Sequence, residues 1–313
     1  MHARIRFAAL LAPLAAQAAS TRTHVSNAGS DANTAFSCDY AHPCRTFAAA
    51  LTQTTSGGEI LAIDSSGYGK VVIDRSVSIV AAPGVFAGIG VGAGGNATGV
   101  EIATADVKVA LRGLTITGQG GDYGIHMTGG ASLLVERCAV SGFSGAGGGA
   151  ITVSTPASVN IADSVVHDNY GGIHLGSGAT GSISSSRVLN NLNRGIRVDS
   201  DSVGVTTSIS VSDTVVSGTL YYVGIHATAS AGTARVAVSR ATVSGNVYGV
   251  ASGATVAGIS TTIVDLANST VTGNNTGLYA GGAGTTHFRV NGTNLVHDNG
   301  TNETGTITTI AAR

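Results

Sequence analysis

The sequence predicts an all-β protein of stacked repeats, and three observations support this prediction. Gly accounts for 46 of the 313 residues and charged residues for 11%, a composition typical of short apolar strands joined by tight turns. Segments such as 208–212 and 235–239 alternate between apolar and other residues, as strands do. From about residue 107 onward, a similar unit recurs roughly every 26 residues, a typical period for stacked repeat folds.

Each repeat carries an aliphatic residue at one aligned position. A unit of about 26 residues with two or three short strands cannot bury its own apolar side, so consecutive units must stack as coils of a parallel β-solenoid. The predicted internal file of stacked side chains is Ile125, Ile151, Ile173, Ile196, Ile225, Val250, Leu278 and Ile307. The turns before these strands should be held by recurring asparagines that bond to the backbone or to each other, namely Asn169, Asn246, Asn274 and Asn299.

Residues 1–18 have the pattern of a secretory signal peptide. Arg4 and Arg6 precede an apolar run, which is followed by small residues suited to cleavage. The run is too short to span a bilayer, and no later segment has the roughly 18 uninterrupted apolar residues that a membrane helix needs. We therefore expect a secreted protein, periplasmic or extracellular after cleavage, without membrane insertion.

Residues 19–56 are interpreted as an N-terminal cap and residues 57–313 as the solenoid. Cys38 and Cys44 lie close together in the cap, and in an oxidising compartment a disulfide between them is the favoured interpretation. Metal binding by the two cysteines is the alternative. The segment 46–51 follows directly and is the best candidate in the chain for a helix, which would cover the open front edge of the solenoid.

Four segments near the N-terminus carry a resemblance to a known family: HVSNAGSDAN at 24–33, PCRTFAAAL at 43–51, GGEIL at 57–61 and GYGKVVIDRSVSI at 67–79. They resemble the front of secreted bacterial right-handed parallel β-helix proteins of the pectate-lyase-like superfamily, and similar repeats follow along nearly the whole mature chain. The resemblance implies a single-stranded right-handed parallel β-helix with a short N-terminal helical cap. It implies no single chemistry, because this fold includes lyases, hydrolases, tailspikes and adhesins.

The residue after each stacked aliphatic should point outward, because side chains alternate along a strand. The resulting column is His126, Thr152, His174, Arg197, His226, Ala251, Tyr279 and Thr308. Further tyrosines lie near the start of the same strands: Tyr123, Tyr170, Tyr222 and Tyr248. Such side chains can bond to sugar hydroxyls, pair with carboxylates and stack on sugar rings. We predict that a polysaccharide or cell-surface glycan binds to His126, His174, Arg197, His226, Tyr123, Tyr170, Tyr222 and Tyr279. The alternative is that these residues simply fill an exposed face.

A catalytic alternative centres on Arg194, Arg197 and Asp199, with His174 and His226 on the flanking coils. A lyase of the resembled superfamily uses a cation, often Ca²⁺ held by acidic residues, and a Lys or Arg that takes the α-proton. The sequence contains no larger acidic cluster here, no nearby lysine and none of the polygalacturonase motifs. We therefore expect a non-catalytic protein; the alternatives are a polysaccharide lyase or glycoside hydrolase acting on an acidic glycan, or a structural or adhesive spacer.

No metal site and no cofactor are predicted, except for Ca²⁺ under the lyase alternative. His126 and His174 should lie two coils apart, about 10 Å, which is too far for both to bind one zinc ion. The formal net charge of −1 provides no basic field, so nucleic acid is not an expected partner. The oligomeric state is not predicted.

Overall fold

The computed structural model describes residues 19–145 and 149–311 and confirms the predicted fold, a right-handed parallel β-solenoid of about nine turns. The predicted signal peptide, 1–18, lies outside the described residues. A typical coil contributes three short strands, and each pairs in parallel with its equivalents in the coils before and after. The solenoid therefore has three faces, here named A, B and C in the order in which the chain visits them within a coil.

Face A contains the strands Val71–Ile73, Thr98–Ile102, Tyr123–Met127, Ile151–Val153, Gly171–Leu175, Tyr248–Ala254, Thr276–Gly281 and Thr301–Thr304. Face B contains Ser20–Val25, Thr54–Ala62, Val77–Ala81, Lys108–Arg112, Ser132–Glu136, Ser158–Ala162, Thr180–Ser184, Ser260–Ala267, Thr285–Asn291 and Ile307–Ile310. Face C contains Ser66–Gly67, Ala87–Gly92, Leu114–Gln119, Ala139–Ser141, Val165–His167, Arg187–Leu189, Val215–Ser217, Thr242–Ser244, Thr270–Thr272 and Leu295–His297. Two long strands, Arg194–Ser212 and Val223–Ser239, run through faces A and B without a break.

The predicted internal file is confirmed from Ile125 to Leu278, whose seven members are paired in register and buried. The prediction for Ile307 is wrong. Glu303 follows Leu278 on face A, and Ile307 lies opposite Phe288 on face B. The register follows the turn: the inward position comes four residues after the turn asparagine in both coils, at Leu278 after Asn274 and at Glu303 after Asn299.

A ladder of asparagines joins successive coils at the turn between faces C and A, as predicted. The Nδ2 group of Asn169 donates to Oδ1 of Asn191 at 2.9 Å. The Nδ2 groups of Asn246 and Asn274 donate in the same way to Oδ1 of Asn274 and of Asn299, each at 2.9 Å. Such bonds satisfy backbone and side-chain groups that the turn removes from water.

Thr219 takes the place of the turn asparagine in the coil between Asn191 and Asn246. Its backbone N–H donates to Oδ1 of Asn246 at 2.9 Å, as the asparagines do, but its buried hydroxyl has no hydrogen-bond partner. The asparagine ladder is therefore split into two parts.

The cap combines a 3₁₀ helix, Asp31–Phe36, with the α-helix Phe47–Gln53. The predicted disulfide between Cys38 and Cys44 is confirmed, and so is the helix, whose N-cap Thr46 accepts a hydrogen bond from the N–H of Ala49. Its apolar side, including Phe47, is buried in the same core as the first coils. Across 19–145 and 149–311, no helix combines the length and apolar character that crossing a membrane requires.

Candidate functional site

The repeat is longer in the coils that span 194–267 than in those before them. In the three coils directly before them, the inward positions of faces A and B are eight residues apart, as from Ile151 to Val159. The separation rises to thirteen from Ile196 to Ile209 and to fourteen from Val250 to Val264. The additional residues follow the face A strands and project beside that face. They form one border of a groove on its outer surface.

The opposite border is also enlarged, through an insertion before one face A strand. Six residues separate Thr219 from Ile225, whereas four separate Asn246 from Val250. The two additional residues are Leu220 and Tyr221, and both of them, like the Tyr222 that follows, are exposed large side chains. A groove of about 230 Å³ lies over face A between these two sides, lined by Tyr222, Val223, His226, Thr228, Tyr248, Ala251, Gly253, Thr255, Tyr279, Gly281 and Gly282.

The predicted outward column lies along the floor of this groove and continues beyond it. Each member pairs in register with the next, in the order Glu101, His126, Thr152, His174, Arg197, His226, Ala251, Tyr279 and Thr304. Thr308 does not belong to the column, because it follows the same shifted register as Ile307; Thr304 takes its place. Glu101 extends the column at the front and was not predicted.

Asp199 is a buried carboxylate between two of the predicted ligand-binding residues. Its side chain is 5% exposed, with Oδ1 at 2.9 Å from Nε2 of His174 and Oδ2 at 2.7 Å from Nη2 of Arg197. Burial raises the pKa of Asp199, but the hydrogen bond from His174 and the nearby positive charges outweigh burial and hold that pKa below its ordinary value. Asp199 is therefore ionised at neutral pH and fixes the position of Arg197.

Arg194 lies beside this cluster, half-buried and without a carboxylate partner in the described parts of the chain. Its guanidinium carbon is 4.9 Å from the centre of the Tyr222 ring, and its Nε is buried with no hydrogen-bond partner. Burial, followed by the positive charge of Arg197, lowers the pKa of Arg194 below its usual value. A guanidinium group remains protonated even so, and the site contains two such cations against the single carboxylate of Asp199.

The next coils form an aromatic part of the groove. The ring of Tyr222 lies 5.6 Å from that of His226 and 6.0 Å from that of Tyr248, whose ring is in turn 5.2 Å from that of Tyr279.

His226 is 7% exposed, and its Nδ1 has no partner. Burial, together with the charges of Arg194 and Arg197, lowers the pKa of His226 to about 3, so the imidazole is neutral at physiological pH.

The structure does not bring all the predicted binding residues together. His126 stacks on Tyr123 with ring centres 4.2 Å apart, two strands before His174. Burial lowers the pKa of His126, against the influence of Glu101, which raises it. Tyr170 accepts a hydrogen bond of 3.0 Å at its hydroxyl from Nδ2 of Asn193.

Sequence reasoning missed a second outward column, two residues further along the same strands. It consists of Asp199, Thr228, Gly253 and Gly281, paired in register. The signal was present in the sequence, because alternation along a strand places every second residue on the same side. This column explains why Asp199 lies against Arg197 and why the groove is open beside the tyrosines.

The residues present do not fit a resident Ca²⁺ ion. Within 19–145 and 149–311, no group of three or more His, Cys, Asp and Glu side chains is placed to hold a metal. Asp199 is the carboxylate at the centre of the cluster, and both of its oxygens are already engaged by His174 and Arg197. Ca²⁺ takes six to eight oxygen ligands, which this donor set does not supply.

Comparison with known proteins agrees with the architecture. Residues 98–265 match the family described as "Right handed beta helix region", which is more than half of the chain. The solved structures include a similar one, "Crystal structure of pectate lyase Pel9A", with a TM-score of 0.63 and 14% sequence identity over 93% of this chain and 80% of that one. No curated protein matches the chain. At this identity the structural likeness concerns the fold alone, and together with the family match it shows that the chain belongs to the right-handed β-helix family.

Proposed function

We propose that this protein binds an acidic polysaccharide in the groove over face A and does not cleave it. The observation that carries the proposal is Arg194, a half-buried cation at the edge of the groove whose Nε has no partner and which pairs with no described carboxylate. A partly desolvated charge is costly unless it is paired, and a ligand carboxylate would provide the pair. Guanidinium groups suit this task because they bond to carboxylates through two parallel N–H groups.

The shape of the site supports a polymeric ligand. Strands in neighbouring coils are about 4.8 Å apart, so the column from His174 to Tyr279 extends about 19 Å along the solenoid. This length suits several consecutive sugar units. The tyrosines of the groove offer ring faces for stacking on sugars and hydroxyls for hydrogen bonds.

The chemistry of the groove favours binding over cleavage. Hydrolysis by the usual glycosidase mechanism needs two carboxyl groups about 5 to 10 Å apart, one of them protonated. The groove lining contains no carboxylate, and Asp199 is ionised and held by two partners. His226 is too weak a base, with a pKa of about 3, to take a proton from a sugar carbon efficiently.

Export of the protein is part of the proposal. The Cys38–Cys44 disulfide supports an oxidising compartment, which fits the expected periplasmic or extracellular location and gives access to polysaccharides outside the cell.

The direct test is calorimetric titration of the purified protein with oligogalacturonate and with a neutral oligosaccharide of equal length. We expect binding of oligogalacturonate that weakens about 10- to 100-fold in Arg194→Gln, because a charged hydrogen-bonded pair is lost. The matched control is Arg240→Gln, which removes an exposed guanidinium paired with Asp213 far from face A. Equal loss in both variants, or unchanged affinity in Arg194→Gln, contradicts the proposal.

Catalysis is tested separately by incubating the protein with a panel of uronate polysaccharides, with and without Ca²⁺. We expect no new unsaturated products and no new reducing ends. Products that depend on Arg194, Arg197 or Asp199 would replace the binding proposal with a lyase or hydrolase.

A further inference from the structure

We propose that the two halves of the binding site bind chemically different sugar units: a cationic half, Arg194 and Arg197, which lies at the end of the groove beyond its lining, and an aromatic half, which is the groove itself. A carboxylated unit would bind at Arg194 and Arg197, and a neutral unit at Tyr248 and Tyr279. The preferred ligand is therefore a heteropolysaccharide in which acidic and neutral sugars occur in the same chain. This inference rests on the proposed binding function and adds the class of polysaccharide.

The first argument is the separation of charge. The cations Arg194 and Arg197 lie at one end, whereas the residues that line the aromatic half include no Lys, Arg, Asp or Glu. His226 lies at the boundary and is neutral, because burial and the two arginines lower its pKa to about 3. A carboxylate placed among the tyrosines would lose water without gaining a cation, whereas a neutral sugar would not bear that cost.

The second argument is the shape of the aromatic half. Its floor includes Gly253 and Gly281, which belong to the same outward column as Asp199 and Thr228. A Cβ atom at Gly281 would lie 2.5 Å from the hydroxyl of Tyr279, so a side chain there would displace this tyrosine. The absence of a side chain at Gly281 therefore leaves room in the groove for the ring of Tyr279. Rings in this arrangement offer apolar faces to the C–H groups of a sugar.

The third argument is distance. Arg197 and Tyr279 lie on strands that are three pairings apart, which corresponds to about 14 Å. The two binding positions therefore contact different units of one polysaccharide chain. A chain made only of uronates would place a carboxylate without a cationic partner beside the tyrosines, and a chain made only of neutral sugars would leave the arginines without a carboxylate.

The experiment compares four hexasaccharides of matched length by calorimetry. Oligogalacturonate carries only uronates, cellohexaose only neutral sugars, and the hyaluronan and heparosan hexasaccharides alternate a uronate with a neutral amino sugar. We expect at least one alternating hexasaccharide to bind about tenfold more tightly than oligogalacturonate. In the double variant Tyr248→Ala/Tyr279→Ala, its affinity should fall about tenfold, while that of oligogalacturonate changes less than twofold.

Two further variants separate the effects of folding and stacking. Tyr248→Phe/Tyr279→Phe keeps the rings and should retain most of the preference, and Tyr40→Ala removes a 72% exposed tyrosine of the cap and should change nothing. The inference is overturned if oligogalacturonate binds as tightly as both alternating ligands, or if it loses as much affinity in the alanine variant. If instead no carboxylated hexasaccharide binds, or Arg194→Gln alters none of the affinities, the proposed function itself fails and the inference with it.

Discussion

The coils from 107 to 189 and those from 194 to 267 share one interior but differ outside it. In both regions, the inward residues of face A stack in register and are buried, as at Ile151 and Ile225. The second region has long connections after face A, a turn lengthened by Leu220 and Tyr221 before one of its strands, and Thr219 in place of a ladder asparagine. The interior therefore specifies the solenoid, and departures from the regular repeat build the groove.

If that division holds, truncation of the interior should have equal effects in the two regions. We expect Ile151→Ala and Ile225→Ala each to lower the free energy of unfolding by about 3 kcal/mol, because both side chains are fully buried. Urea denaturation followed by circular dichroism measures the change. A much smaller loss in Ile225→Ala would mean that the groove coils are packed less tightly than the regular ones, which would contradict a common interior.

The second comparison is between two histidines of the outward column, His226 in the groove and His126 in the regular coils. Burial lowers the pKa of both, but His226 is further affected by Arg194 and Arg197, whereas Glu101 opposes the shift at His126. When a histidine has a lower pKa in the folded state, the unfolded chain binds the proton first. Stability is therefore lost as the pH falls from about 6.5 towards the folded value of about 3.

We expect His226→Gln to remove more of this acid sensitivity than His126→Gln does. Each fully linked proton contributes at most about 1.4 kcal/mol per pH unit, so a difference of 1 to 2 kcal/mol should develop between pH 6.5 and pH 4.5. Asp199 contributes little in that window, because its pKa lies below the ordinary carboxyl value. Urea unfolding at several pH values provides the measurement, and parallel pH profiles for the two variants would refute the expectation.

The regular part of the molecule was predictable from the sequence because one local rule repeats. Alternation along strands and a period of about 26 residues placed Ile125 to Leu278 in one file and His126 to Tyr279 in one column. The rule failed at Ile307, because the motif of a small residue followed by an aliphatic one also occurs on face B. The length of the preceding turn, not that motif, sets the register.

The groove was predictable only in part, because it is formed where the sequence does not follow the repeat pattern. The sequence identified His174, Arg197, His226 and the tyrosines as neighbours of one face. It did not reveal that Asp199 would be buried between His174 and Arg197, since this depends on where the long strand turns away from face A. It also did not reveal the packing of Tyr248 against Tyr279, which depends on the glycine at 281.

The smallest expected effect concerns the break in the ladder at Thr219. Thr219→Asn would place an amide where the buried hydroxyl now has no partner, and its Nδ2 group could donate to Oδ1 of Asn246, as Asn246 does to Asn274. We expect a gain of about 1 kcal/mol in the free energy of unfolding, measured by urea denaturation, because one buried hydrogen bond is added. Asn169 should not respond, since its own bond to Asn191 is complete.

The same variant shows whether the ladder and the groove are independent. Leu220, Tyr221 and Tyr222 follow Thr219 directly, so a ladder that is incompatible with the longer turn would shift Tyr222 away from Arg194 and His226. If stability rises and oligogalacturonate affinity is unchanged, the turn tolerates both features. If stability rises while affinity falls, the turn with Thr219 is less stable than one with asparagine but is needed to position Tyr222. The departure from the regular repeat at this turn would then serve ligand binding at the expense of stability.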